Sequence, residues 1–244
     1  MKKIIVIIPT YNEEKNIKKL VKSIFNVLPN CNIVIVDDSK HKNVSLALVG
    51  ELKKKNLIYI HRKNSKGRGS AVLQGLKTQL SDKKDQIFIE MDADFSHNPL
   101  ELKRNLKKFI LTKSHLLIAS RYLPKSKILN WTLFRRLFSR LANFLASILL
   151  NIGTTDYTNG FRIYSKNAAK LIVDKCGKIG DGFIVLSEIL LVIHQNKLKI
   201  SEIETIFVNR TRGESSVNIR LIVHSFFGLI KLYLMKNKKG KNIL

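Results

Sequence analysis

The sequence predicts an α/β fold, a mostly parallel central sheet flanked by helices with a C-terminal amphipathic helix. Two observations carry this. Through the first half of the 244-residue chain, short apolar runs alternate with helix-length amphipathic stretches, the pattern of βαβ units. Acidic clusters also follow three of the apolar runs, at the carboxyl ends of the expected strands, where such sheets bind ligands.

Each element follows in order. The apolar run in MKKIIVIIPTYNEE is too short for a leader and leads into acids, so IIVIIP (4–9) reads as a first, buried strand. Residues 13–28 place Ile17, Leu20, Val21, Ile24 and Phe25 at helical spacing. NIVIVDD (32–38) is a second strand, 44–55 a helix, LIYIH (57–61) a third strand and 70–80 a helix. QIFIEMD (86–92) is the fourth strand, 99–111 a helix opened by Asn98 and Pro99, and HLLIASR (115–121) the fifth strand. Residues 131–150 form a helix with Arg136, Arg140, Asn143 and Ser147 on one stripe. It suits either a membrane surface or a core position with a basic face outward. VNIRLIVHSFFGLIKLYLM (217–235) is a largely apolar helix with Arg220, His224, Gly228 and Lys231 on a narrow stripe, and a lysine cluster follows it. The expected division is a catalytic domain over 1–216 and a membrane-associating tail over 217–244. No stretch offers about 20 uninterrupted apolar residues, so a certain transmembrane helix is not expected.

Charge narrows the partners. Lys plus Arg number 44 against 18 Asp plus Glu, a net charge of +26, which favours nucleic acid, an anionic membrane surface or phosphorylated substrates. Nucleic acid is not expected: aromatics interleaved along a basic groove are missing, and acids crowd the expected site. Cys31 and Cys176 have no metal-ligand spacing and fit a reduced, cytosolic setting.

The acids carry the chemistry. Pro9-Thr10-Tyr11-Asn12-Glu13, Asp37-Asp38 and Asp92-Ala93-Asp94 share one sheet edge. In extended backbone, residues i and i+2 face one side, so Asp92 and Asp94 meet there, and like charges so close repel unless a cation lies between them. Hard oxygen ligands suit Mg²⁺ or Mn²⁺ bridging a diphosphate. NSKGRGSAVLQGL (64–76) is a Gly-rich loop entering a helix; its amides, with Lys66 and Arg68, are a phosphate contact or a plain turn, and it is not a Walker loop.

With these pieces placed, the chain resembles the inverting family 2 glycosyltransferases, and among them the dolichyl- or polyprenyl-phosphate mannosyltransferases. PTYNE (9–13), VDDS (36–39), KGRGSA (66–71), MDADFSHNP (91–99), SRY (120–122), TNGFRIY (158–164), GFIVLSEIL (182–190) and FVNRTRGESS (207–216) occur in the family's order. The resemblance implies the GT-A nucleotide-diphospho-sugar transferase fold. It implies that Pro9, Tyr11, Glu13 and Asp38 hold the nucleobase and ribose of a donor. Asp92 and Asp94 would hold Mg²⁺ or Mn²⁺ and the diphosphate, with Ala93 and Ser96 beside them and Asp94 catalytic. Arg121, Arg135 and Ser139 would grip the lipid phosphate, Arg121 also acting in catalysis, and Arg210 would contact a donor phosphate in R-x-x-G-x-S. TNGFRIY and Glu188 would wall the sugar pocket. The sequence departs from the family at SKHKNV after Asp38, at LPKS after SRY, and at Ser216, placed with the donor contacts where a lysine is common. The implied reaction moves a sugar, mannose from GDP-mannose, onto polyprenyl or dolichyl monophosphate at the cytoplasmic face of a membrane. A small membrane-protein partner is compatible. Another sugar, or a non-lipid acceptor, is the alternative.

Overall fold

The computed structural model describes residues 2–48, 50–51, 55–63, 67–81, 84–180, 182–209 and 219–241, the last stretch with side chains over 226–237. In chain order the elements are β1 (Lys3–Thr10), α1 (Glu14–Val27), β2 (Asn32–Asp37), α2 (Asn43–Ala47), β3 (Leu57–His61), α3 (Arg68–Gln79) and β4 (Gln86–Glu90). A 3₁₀ turn over Pro99–Glu101 leads into α4 (Leu102–Leu111), then β5 (Leu116–Ser120), β6 (Lys127–Leu129) and α5 (Leu133–Leu150). β7 (Arg162–Ser165), α6 (Lys166–Lys175), α7 (Ile184–Gln195), β8 (Ile200–Glu204), β9 (Ile206–Val208) and α8 (Ile219–Lys241) complete them.

Seven strands form one sheet in the order β3-β2-β1-β4-β7-β5-β8, and β6 and β9 pair separately. All neighbours in the large sheet run parallel except β7, which is antiparallel to both β4 and β5. Strand alternation splits the core in two. Ile5, Ile7, Val34, Val36 and Phe88 face α3, α6 and α7. Val6, Ile8, Ile33, Ile35 and Ile89 face the Ile17, Leu20, Val21 and Ile24 stripe of α1 and Leu102 and Phe109 of α4. A strand covered on both sides reads as one unbroken apolar run, as β1 does.

The helix expected over 44–55 is shorter, ending at Ala47 among the described residues. The Leu48 amide closes on Ser45 O, a tightened last turn, and Gly50 follows. The helix expected over 131–150 fits neither alternative along its whole length. Of its polar stripe Asn143 is buried, Arg136 and Ser147 are partly buried and Arg140 is exposed; Ala146 and Leu150 are buried with Asn143, while Leu133, Phe134, Leu137, Leu141, Phe144 and Ile148 are exposed. α8 lies against the body: Leu229 and Leu232 join the core, and a Cβ on Gly228 would stand 2.6 Å from an Ile184 side-chain atom. No helix among the described residues is long and apolar enough to cross a membrane.

Candidate active site

The parallel strands β1, β2, β4 and β5 deliver their carboxyl ends to one edge, and the antiparallel β7 begins there. At that edge Thr10 Oγ1 and Ser39 Oγ donate to Asp37 Oδ1 at 3.0 and 2.6 Å, and Tyr59 donates to Oδ2 at 2.6 Å. The Asn12 amide donates to Ser39 Oγ at 2.8 Å from a left-handed φ of 56°, joining the two loops. Tyr11 is exposed, Pro9 is buried in β1, and Glu13 accepts from Asn16 Nδ2 at 2.8 Å at the start of α1. The Asp38 carboxylate faces the Arg62 guanidinium in a two-pronged pair and accepts from the Gly67 amide at 3.2 Å. In this arrangement Asp38 orders the entry to α3.

After β4 the chain places Asp92 and Asp94 at the edge, both partly buried, with Ala93 turned into the core. Asp94 Oδ1 accepts from the Ser96 amide at 3.0 Å, a turn that runs through Phe95 at φ 63°, an uncommon conformation for an aromatic residue. The Asp92 amide donates to His97 Nδ1 at 3.0 Å, so His97 carries its proton on Nε2 and donates it to Asn159 Oδ1 at 2.9 Å. Its ring stacks on Phe161 with centroids 5.1 Å apart.

Arg68, read from sequence as a possible phosphate contact, serves the carboxylates instead. Its Nε and Nη2 donate to Asp92 Oδ1 at 2.8 and 2.7 Å, and its Nη1 to Glu90 Oε1 at 2.6 Å. Glu90 also accepts from Tyr164 Oη at 2.5 Å. Burial opposes charge on Arg68, but Asp92 and Glu90 outweigh it and raise its pKa. The guanidinium lies where a Cβ on Gly160 would come within 1.8 Å of Nη2, so this glycine is what admits it. Arg68→Met is therefore expected to leave Glu90 almost unpaired in the core. The cost is about 3–5 kcal/mol, or roughly 6–20 °C in Tm for a chain of this size. An unchanged melting curve would contradict the clamp.

Arg121, just past β5, is buried. Its backbone amide and Nε donate to Asp156 Oδ2 at 3.0 and 2.8 Å, and its Nη2 reaches Asp156 Oδ1 at 2.8 Å and Thr158 Oγ1 at 2.6 Å. Burial alone would raise Asp156 and lower Arg121; their contact reverses both, holding Asp156 below and Arg121 above its ordinary pKa. The Arg121 guanidinium lies 5.4 Å from the ring centres of Tyr122 and Phe207 and 5.6 Å from Trp131. Arg135, at the start of α5, stacks on the same Trp131 at 4.4 Å and donates to Asn209 Oδ1 at 2.8 Å. Ser139, one turn on, pairs with Tyr122 Oη at 2.6 Å. Trp131 thus packs against two guanidinium groups, cations suited to an anion.

Sequence reading singled out neither Asp156 nor Trp131. Glu188 is buried in α7 and accepts from the Gly177 and Lys178 amides at 2.7 and 3.3 Å. Arg210 and Ser216 lie outside the described residues.

The edge has a donor set that fits a divalent cation in part. Two carboxylates are present, one oxygen of Asp92 being committed to Arg68, and Ser96 Oγ is buried beside them without a hydrogen-bond partner among the described residues. No three His, Cys, Asp or Glu side chains gather as a metal site among the described residues. Such a pair suits an ion that takes its remaining oxygens from a bound diphosphate and water.

A parallel sheet with this carboxylate-lined edge is the GT-A arrangement of nucleotide-sugar transferases. Solved structures agree on the fold. Glucosyl-3-phosphoglycerate synthase from Mycobacterium tuberculosis, in complex with Mn²⁺ and UDP-glucose, matches with TM-score 0.66 and 18% identity over 96% of this chain and 79% of that one. Mannosyl-3-phosphoglycerate synthase from Rubrobacter xylanophilus matches with TM-score 0.61 and 11% identity over 100% and 76%. The model of the family described as glycosyl transferase family 2 covers residues 5–172, and the chain belongs to that family. It is 31% identical over 217 residues to a polyprenol monophosphomannose synthase of Mycolicibacterium smegmatis, covering 88% of this chain and 80% of that protein. It is 29% identical over 220 residues to an undecaprenyl-phosphate mannosyltransferase of Micrococcus luteus, covering 88% of each.

Proposed function

We propose that this glycosyltransferase moves a sugar from a nucleotide sugar onto a polyprenyl monophosphate at a membrane surface, with inversion at the anomeric carbon. Mannose from GDP-mannose is the reading the two mannosyltransferase relatives favour. The observation that carries the proposal is the two-sidedness of α5. One side presents Arg135 and Ser139 to Trp131, Tyr122 and Arg121, while the other exposes Leu133, Phe134 and Leu137 at 84, 80 and 70%. A phosphate held by the first side would carry its hydrocarbon toward the second.

The chemistry follows from the acceptor. A phosphate monoester has its second pKa near 6, so at pH 7 it is already a nucleophile and needs no strong general base. Arg121 and Arg135 would position it, and the β1 and β2 loops, with Pro9, Tyr11, Glu13 and Asp38, would take the nucleotide. Asp94, with Asp92, would hold Mg²⁺ or Mn²⁺, which when bound neutralises charge on the departing nucleoside diphosphate. Arg210 and Ser216 would stand on the donor side.

The exposed faces of α5 and α8, with Phe226, Phe227 and Leu234 on the latter, suit a headgroup–acyl boundary reached from one side, the cytoplasmic one for a nucleotide-sugar user. The doubly substituted Phe134→Asp, Leu137→Asp chain should fold normally, since both side chains are exposed. Each loses about 1.5–3 kcal/mol of apolar burial in lipid, so partition onto protein-free anionic liposomes, read by flotation, should fall roughly 10²- to 10⁴-fold. Equal flotation of both proteins would overturn the membrane-facing assignment.

The function itself is tested by incubating the purified chain with polyprenyl phosphate and radiolabelled GDP-mannose, UDP-glucose or UDP-N-acetylglucosamine in turn. Label entering the organic phase from GDP-mannose alone supports the reading. Label from a UDP-sugar reassigns the donor, and none from any donor contradicts the acceptor.

A further inference from the structure

The Arg121 site is braced from outside by a residue that touches neither substrate in the proposed reading. We infer that Glu202, on the edge strand β8, is a positioning residue for the acceptor phosphate, acting through Thr155 and Asp156 on Arg121. The inference rests on the acceptor-site reading above.

Two hydrogen-bond chains end on the Glu202 carboxylate. In the first, the Thr155 amide donates to both carboxylate oxygens, at 3.0 and 2.9 Å, and the Asp156 amide to Oε1 at 3.3 Å. The turn so held presents the Asp156 side chain, fully buried, to three donors of Arg121. In the second, the direction of donation follows from the partners. The Thr155 hydroxyl donates to Glu202 Oε1 at 2.8 Å, because a carboxylate only accepts. Ser120 Oγ, 2.5 Å away, then donates to Thr155 Oγ1 and itself accepts from the Tyr122 amide at 3.2 Å. Tyr122 in turn packs on the Arg121 guanidinium and bonds Ser139. One chain therefore sets the carboxylate that aims Arg121, and the other sets the backbone on either side of it.

Glu202 is remote from the carboxylate edge. It lines a separate cleft of about 350 Å³ with Gly153, Thr154, His194 and Ser201, on the outer side of the turn. Burial raises its pKa, yet it accepts four hydrogen bonds, so the carboxylate is held by the donors of the turn. Second-layer partners of binding groups typically change affinity by about 10- to 100-fold when removed.

The test is steady-state kinetics of the full chain with polyprenyl phosphate and the nucleotide sugar varied separately. Glu202→Ala should raise KM for polyprenyl phosphate about tenfold or more, with KM for the nucleotide sugar within about twofold. Glu202→Gln, which keeps one acceptor oxygen for the turn, should recover part of the loss. Should Glu202→Ala fail to fold, Thr155→Val removes the hydroxyl of the second chain, keeps the amides of the first, and should shift the same KM in the same direction. Arg121→Lys is the control that separates the two readings. If Arg121→Lys raises the polyprenyl-phosphate KM but the Glu202 and Thr155 variants do not, the Glu202 inference falls alone. If Arg121→Lys has no such effect, the acceptor-site reading falls and takes the inference with it.

Discussion

Asp94→Asn is expected to lower sugar transfer by about 10²- to 10³-fold with little change in melting temperature. Asparagine keeps an oxygen that can accept from the Ser96 amide, now at 3.0 Å from Asp94 Oδ1, so the turn survives while the charge is lost. Asp92→Asn should behave differently. Asp92 Oδ1 takes two hydrogen bonds from Arg68, whose third goes to buried Glu90, so its substitution should lower stability together with activity. The contrast separates the two aspartates: one a charge for the reaction, the other half committed to the fold. Chelation should reproduce the Asp94→Asn loss in the native protein. Full activity in excess EDTA would contradict the metal assignment.

The second large effect is expected at the guanidinium pair. Arg135→Ala should raise the KM for polyprenyl phosphate roughly 10- to 10²-fold, the equivalent of one charge-assisted hydrogen bond of about 1.5–3 kcal/mol. The nucleotide-sugar KM should stay nearly constant. Arg135 is suited to this test because it is only partly buried. Arg121 is not: Arg121→Ala would strand Asp156, which is 0% exposed, at a cost of about 3–5 kcal/mol. Arg121→Lys keeps the charge and loses the two-pronged geometry, so it reports on positioning with less damage to the fold. Equal effects of Arg135→Ala on both substrates would count against an acceptor role.

The strands β1 to β5 were legible as short apolar runs, and the helices α1, α3, α4 and α5 as amphipathic stretches of helix length, each bounded by loop residues. The expected strand 57–61 coincides with β3 to the residue. β7 was not legible. It has four residues and starts at Arg162, a fully buried arginine that donates to the nearby carbonyls of Asn159 and Tyr157 and to that of Leu186 across the fold, and its place is set by pairing with β4 and β5. Asp156 was missed for a related reason. A single acid in TTDYTN reads as loop until the fold brings Arg121 to it. For α5, periodicity revealed a polar stripe but not its direction, and the inward turn of Asn143 depends on Tyr157 and Thr158 meeting it there. The paired aspartates were legible because sheet topology alone puts them at the carboxyl end of β4, although the strand expected over 86–92 ends at Glu90 and they lie in the loop just beyond it. Arg68 was not, since its path to them depends on the missing side chain of Gly160.

In the proposed reaction the sugar alone is transferred, to a phosphate the lipid already carries. Phosphate analysis and mass spectrometry of the lipid product, with chromatography of the released nucleotide, test it most directly. The expected product is a lipid with a single phosphate bearing one sugar, formed together with nucleoside diphosphate. A lipid with two phosphates, formed together with nucleoside monophosphate, would contradict it.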